Sequence, residues 1–409
     1  MQISNRIDSM GEPALLKFYP LVDQEKAKGK KFYYLNIGQP DIETPEEFMK
    51  TIADQEKTGK VLAYAEPEGV PELRQEASKY FRKFDLDFGP EDILITSGGS
   101  EALLFTFLTI CNPGDAILTP EPLYSVYKEI AKASSIDLTG IMTYAKEGFA
   151  LPPIEDIERL ITPKTRGILI TNPNNPTGKV FTQEEIDRLK VLALKYDLFF
   201  IADEVYREFM YDGLEYVSPG HDRELDQNTI IIDSVSKRYS ACGARIGFIL
   251  SKNRDFIYAA RKLCQMRLAV SSVDQLGAAR LFRLDTSFFD AVLREYEDRR
   301  NIVYDRIGGR KDIIAKKPTG AFYYVLKLPV IDAETFIRWM ISDFDVDGES
   351  VLLTPANDFY LDPDNGRDEV RLAYVLNEKD LARAADILMA GIDAYEKEHP
   401  ENVKEEFRK

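Results

Sequence analysis

The chain has 409 residues, 44% of them apolar and 30% charged, with a formal net charge of −16. A globular protein of this length exceeds one ordinary core, so two domains, or one large domain with an elaboration, are expected. The acidic balance excludes a general nucleic-acid binder, although a few arginines in one pocket can still reverse the local field for a small anion.

No run of about eighteen apolar residues offers a membrane span, and residues 1–20 lack the uninterrupted apolar core of a signal peptide. Cys111, Cys242 and Cys264 are scattered, and His221 and His399 lack a zinc-ligand spacing. A cytoplasmic chain without a metal is the expectation.

In chain order, residues 1–45 carry too little apolar periodicity to fold alone and are expected to pack on another part of the molecule. From about 90 to 280, short apolar runs alternate with longer amphipathic ones. The strand-like runs are 92–96, 116–119, 167–171, 198–202, 229–233 and 245–250, with helical patterns at 101–110, 184–195 and 254–265. Runs too apolar to alternate suit strands covered by helices on both faces, the signature of a mostly parallel α/β sheet. Past 285 the pattern changes to a charged helix at 288–307, a strand at 321–328, a helix at 333–341, strands near 351 and at 370–375, and a helix at 378–397. This reads as a smaller α+β domain. The division expected is 1–45 as an arm and small-domain segment, 46–285 as the large domain and 286–409 as the small C-terminal domain.

Four motifs sit where strands end. In TSGGSEA at 96–102, glycines let the first helical turn aim N–H groups at an anion. The run is neither a Walker A loop nor GxGxxG. NPNNPTG at 172–178 is first of all a rigid turn, in which Asn175 becomes a fixed donor and the bond before Pro176 a candidate cis peptide. In ADEVY at 202–206, Asp203 is either a helix N-cap or a carboxylate facing a protonated ring nitrogen. Finally, SVSK at 234–237 is followed by Arg245, and a lysine there suits a Schiff base to an aldehyde whose phosphate needs neutralising. An ordinary solvated lysine would need none of this company.

Taken in this order, the segments resemble the fold type I, class I/II aminotransferases that use pyridoxal 5′-phosphate (PLP), over residues 33 to 395. The resemblance implies a large PLP-binding domain with a mostly parallel seven-stranded sheet flanked by helices, and a smaller α+β domain built from both terminal segments. It implies Lys237 as the Schiff-base lysine and proton carrier, Asp203 on the pyridine nitrogen, and Asn175 and Tyr206 on the phenolic oxygen. Tyr124 would stack on the ring. Gly99, Ser100, Ser234 and Arg245 would hold the phosphate. Arg371 would grip the substrate α-carboxylate, with Gly38 of LNIGQPD lying over the pocket and Asn175 also near the substrate. Tyr64 would come from a second subunit, making the working unit a homodimer with shared sites.

LNIGQPDIETP at 35–45 with ADEVYREF resembles bacterial aspartate or broad-specificity members. Aspartate or a similar L-amino acid with a 2-oxo acid such as 2-oxoglutarate, in a ping-pong reaction, is therefore the expected chemistry. Ser100 stands where one aspartate-using branch has a lysine, which leaves Arg267 or Lys128 as candidates for a distal carboxylate. Two alternatives stay open on the same fold: a β-lyase acting on cystathionine or cysteine, and a DNA-binding regulator, for which no basic helix-turn-helix extension precedes residue 30.

Overall fold

The structure, a computed structural model, describes residues 3–8, 10–11, 16–54 and 61–407. Its strands are β1 (Lys31–Tyr34), β2 (Ile93–Thr96), β3 (Ala116–Glu121), β4 (Asp137–Met142), β5 (Thr165–Thr171), β6 (Phe199–Asp203), β7 (Thr229–Ser234), β8 (Gly247–Leu250), β9 (Tyr323–Lys327), β10 (Glu349–Leu352), β11 (Thr354–Pro355) and β12 (Glu369–Ala373). Seven of them form one sheet in the order β2-β8-β7-β6-β5-β3-β4. Only β8 runs against its neighbours, pairing antiparallel with both β2 and β7. The others are parallel to one another.

The central strands are apolar at every position for a physical reason. Ile168, Ile170, Phe200, Ala202 and Ile231 pack into one core on one face. Leu169, Ile201, Ile230 and Ile232 pack into another on the opposite face. Both faces being dry, alternation disappears. The covering helices start where side-chain caps allow. Thr182 accepts from the Glu185 N–H while Glu185 accepts from the Thr182 N–H, a reciprocal capping box opening the helix Gln183–Lys195.

A third core draws on residues 18–35 and 292–395, joined by Tyr206, Phe209 and Tyr211. It covers the antiparallel sheet β11-β12-β9 and the parallel pair β1-β10. The pairing of Lys31 with Glu349 and Tyr34 with Leu352 answers where the N-terminal segment packs. Among the described residues, no helix is long and apolar enough to cross a membrane.

Several expected elements differ from the structure; one is the strand expected at 321–328, which begins only at Tyr323, after Ala321 at a left-handed φ of 53°. The edge strand β4, Asp137–Met142, was not among the expected strands; its side chains are mostly half-exposed, so it lacks a continuous apolar run. The strand expected at 245–250 begins only at Gly247, because Arg245 has a left-handed φ of 53° and closes a turn.

Candidate active site

Because β2, β3, β5, β6 and β7 are parallel, their carboxyl ends meet along one edge of the sheet, where α/β folds place ligands. Onto that edge come the turn after Thr96, the loop carrying Tyr124, the NPNNPTG turn, Asp203, and the short helix Val235–Arg238 that carries Lys237. The antiparallel β8 enters from the same edge, Gly247 pairing with both Ser234 and Thr96, so Arg245 arrives between them. These elements form a cleft lined by nine of the twelve expected site residues: Gly99, Ser100, Tyr124, Asn175, Asp203, Tyr206, Ser234, Lys237 and Arg245. Asn175–Pro176 is cis, as are Asn172–Pro173 and Glu121–Pro122.

Arg371 joins the cleft through Asn175, whose Oδ1 accepts from the arginine Nη1 at 3.3 Å. Gly38 joins through its carbonyl, which accepts from Lys237 Nζ at 3.0 Å. Tyr64 is not brought to the cleft; it is 83% exposed on the surface of this chain. Arg267 and Lys128 are not among the described lining residues. Arg267 is engaged by Glu101 at 3.2 Å and by the carbonyls of Pro67 and Ile95, and Lys128 donates to the Tyr360 carbonyl at 3.0 Å.

The electrostatics of the cleft are unbalanced in a specific way. Asp203 is buried, and desolvation pushes its carboxyl up to about 6 against the hydrogen bond from Tyr127, with the acids Asp233 and Glu204 pushing in the same upward direction. Arg371 is 3% exposed, and burial pushes its guanidinium down from its ordinary value with no carboxylate to offset it. Among the described residues, its Nε has no hydrogen-bond partner. Each of the other buried arginines (Arg207, Arg238, Arg299, Arg300) has an acid partner. Among the described residues, Arg245 has only backbone acceptors, the carbonyls of Cys242 and Ser97. One unmatched acid and two unmatched arginines around a lysine complement a ligand with a cationic nitrogen and two anionic ends.

Close approach explains two glycines. Gly98, at φ 78°, has the Arg245 Nη2 only 2.3 Å from where a Cβ would stand. At Gly38 a Cβ would lie 2.0 Å from the Tyr323 hydroxyl.

Beneath the cleft a buried charge cluster ties the turn after β6 to the turn after β7. Arg207 bridges Glu204 and Asp233, each at 2.7 Å, and Asp233 also pairs with Arg238, which reaches Glu208 at 3.2 Å. Asp203 precedes Glu204 and Lys237 precedes Arg238, so this cluster sets their separation. The helical i,i+3 spacing of Glu204 and Arg207 is the signal that could have found it. Reading the sequence also missed Ser236 and Cys242, which line the cleft, and two tyrosines. Tyr127 donates to Asp203 Oδ2 at 2.6 Å. It follows Tyr124 by three residues, and its hydroxyl is fully buried. Tyr323, 2% exposed, lies 2.9 Å from the Tyr206 hydroxyl. Nothing local marks it, because it arrives from the other sheet.

With this geometry in place, comparison with known proteins is specific. The sequence profile of aminotransferase class I and II matches residues 30–388. The aspartate/prephenate aminotransferase of Thermus thermophilus is 28% identical over 387 residues, 93% of this chain and 96% of that protein. A probable aspartate aminotransferase of Methanocaldococcus jannaschii is 32% identical, over 87% of this chain and 92% of its own length. Among solved structures, the aspartate aminotransferase from Thermus thermophilus with maleate superposes with a TM-score of 0.86 at 26% identity, covering 96% of this chain and all of that one. The sheet order, the converging strand ends and the match over most of the chain lead to one statement: this protein belongs to the class I and II aminotransferase family and is an amino-acid aminotransferase.

Proposed function

We propose that the cleft holds PLP on Lys237 and transfers the amino group of an L-amino acid, aspartate or a similar one, to a 2-oxo acid such as 2-oxoglutarate. The observation carrying this reading is the unmatched charge around the lysine: an acid at Asp203, and arginines at Arg245 and Arg371 without acid partners among the described residues. They fit a cofactor with a basic ring nitrogen and a phosphate, and a substrate with an α-carboxylate. Gly99, Ser100, Ser234 and Arg245 are assigned to the phosphate, Tyr124 to the ring face, and Asn175 and Tyr206 to the phenolic oxygen.

When bound, PLP supplies an electron sink that makes the Cα–H bond of an amino acid acidic. The protein does the rest. Asp203, raised by burial, is stabilised as an anion when a cation is placed against it, so it favours a protonated ring nitrogen. Arg371 takes the α-carboxylate with two parallel charge-assisted hydrogen bonds. Holding the amino acid at its carboxylate and its nitrogen fixes the direction of the Cα–H bond. Lys237 Nζ, no longer held by the Gly38 carbonyl, removes and returns that proton.

A homodimer is part of this proposal. Glu68 pairs with Arg261 at 2.7 Å, which brings the segment after Tyr64 onto the helix Arg254–Arg267, where Tyr258 and Met266 are exposed. A second copy would cover these apolar groups, and the partner subunit's Tyr64 would reach the phosphate. We further propose a large domain over 46–285 with the remaining segments forming the small one, and residence in the cytoplasm.

The absorption spectrum of the purified protein tests the reading, with single amino acids added in the absence of any 2-oxo acid. A yellow band that bleaches with one donor and returns with an acceptor is expected. Failure to take up PLP supplied in excess sinks the assignment of Lys237. Accumulation of ammonia and a 2-oxo acid under a persisting band would instead mark a lyase. Sedimentation at micromolar concentration should give the mass of two chains; a monomer removes Tyr64 from the site.

A further inference from the structure

Tyr323 lies where four assigned groups meet. Its hydroxyl is 2.9 Å from the Tyr206 hydroxyl and 3.4 Å from the Gly38 carbonyl, the same oxygen that receives Lys237 Nζ at 3.0 Å. Its ring lies 4.8 Å from the Arg371 guanidinium carbon, and the ring of Phe359 is 4.9 Å from the same atom. Arg371 donates to Asn175 Oδ1, and Asn175 Nδ2 reaches the Tyr206 hydroxyl at 3.5 Å. The contacts close into a circuit from the arginine to the lysine.

We propose that Tyr323 is a positioning residue with two separable duties, resting on the assignment of Arg371 and Lys237 above. The first belongs to the ring. The buried guanidinium, which donates to the Asn36 carbonyl at 2.7 Å and to Asn175 Oδ1 at 3.3 Å, is further held by the two aromatic faces that touch it, since the negative ring face attracts the cation without occupying any of its N–H groups. The second belongs to the hydroxyl, which has one hydrogen and two acceptors, the Gly38 carbonyl and Tyr206 Oη. When Tyr206 gives its own hydrogen to a ligand atom, its oxygen needs a donor, and Tyr323 is the hydroxyl within reach. Turning that hydrogen to Tyr206 leaves the Gly38 carbonyl to Lys237. The hydroxyl thus links the hold on the 37–39 segment to the proton arrangement around the lysine.

The test separates the two duties by substitution. Tyr323→Phe keeps the ring and removes the hydroxyl, whereas Tyr323→Leu removes both. Binding of maleate and of 3-phenylpropionate, carboxylates without an amino group, is measured by calorimetry on the PLP-loaded protein, alongside the pH midpoint of its visible band. Tyr323→Phe should bind both carboxylates within about twofold of the parent but move the band midpoint upward by roughly half a unit, because Tyr206 loses the donor that supports a charged ligand oxygen. Tyr323→Leu should bind whichever carboxylate the parent binds about tenfold more weakly. If the parent binds neither carboxylate, the assignment of Arg371 fails. If the parent binds and a folded Tyr323→Leu binds equally well, the ring duty fails alone. An unmoved band in Tyr323→Phe overturns the hydroxyl duty, and that near-isosteric variant decides the matter even where Tyr323→Leu does not fold.

Discussion

The Tyr127 hydroxyl donates to Oδ2 of Asp203 at 2.6 Å and lies 2.7 Å from Thr171 Oγ1, so the buried acid facing the cleft is held by a neutral donor rather than by a cation. A hydrogen bond to a charged acceptor contributes roughly 1.5–3 kcal/mol. Tyr127→Phe removes it and pushes the Asp203 carboxyl further up. PLP binding to the cofactor-free protein should weaken about tenfold, read by absorbance titration. Unchanged affinity would mean that the bond does not support Asp203 as an anion.

Asp203 also makes stability depend on pH, with a definite sign. Its carboxyl titrates near 6 when folded and near the ordinary value of about 3.9 when unfolded. Between those values the folded state binds more protons, so stability falls as pH rises through the window, and above it the cost of the buried anion is complete. A shift of this size corresponds to about 3 kcal/mol. In urea unfolding of the cofactor-free protein, Asp203→Asn should be the more stable form at neutral pH, the gap closing toward pH 4. A gap independent of pH would show that Asp203 does not titrate there.

Lys237→Ala should hold PLP without a covalent bond, losing it on dialysis, and transamination should fall at least about a thousandfold. Turnover near that of the parent would end the proposed mechanism.

Arg371→Met should affect function and stability in opposite directions. Losing the paired hydrogen bonds to a carboxylate should lower kcat/KM about a hundredfold or more. The cofactor-free protein should meanwhile unfold no more easily, and be about 1 kcal/mol more stable, because an unmatched buried cation has gone. Loss of stability would mean that the hydrogen bonds from Arg371 to the Asn36 carbonyl and Asn175 outweigh the cost of burying its charge.

Arg207→Met tests the charge cluster. It leaves Glu204 and Asp233 buried without their bridge, so a loss of about 3–5 kcal/mol is expected in chemical denaturation. A change under about 1 kcal/mol would mean that water or a proton already satisfies those acids.

What was readable in the sequence follows from where the information lies. NPNNPTG, ADEVY and SVSK each follow an apolar strand immediately, so motif and position reinforce each other, and the structure brings Asn175, Asp203 and Lys237 to one cleft. The helix Gly98–Ile110 begins three residues before the apolar pattern suggests, because the glycines of its first turn carry no hydrophobic signal. The edge strand β4 pairs with one neighbour only and keeps half-exposed side chains, which removes the run that marks β5 to β7. Tyr323 meets Tyr206, and Arg371 meets Asn175, only through tertiary packing between sheets, a relation that spacing along the chain does not contain.

The pairing of β1 with β10 joins residues more than three hundred positions apart, Lys31 with Glu349, and β12 with Arg371 lies later still. During synthesis, every strand of the seven-stranded sheet emerges, with Lys237 and Arg245, before the partner of β1 has been made. The residues assigned to the cofactor are therefore all present in the growing chain well before Arg371, the residue assigned to the substrate carboxylate. Until β10 appears, the segment carrying Gly38 has no strand to join, which leaves an early apolar stretch, Phe32 to Leu35, waiting for the last part of the protein to cover it.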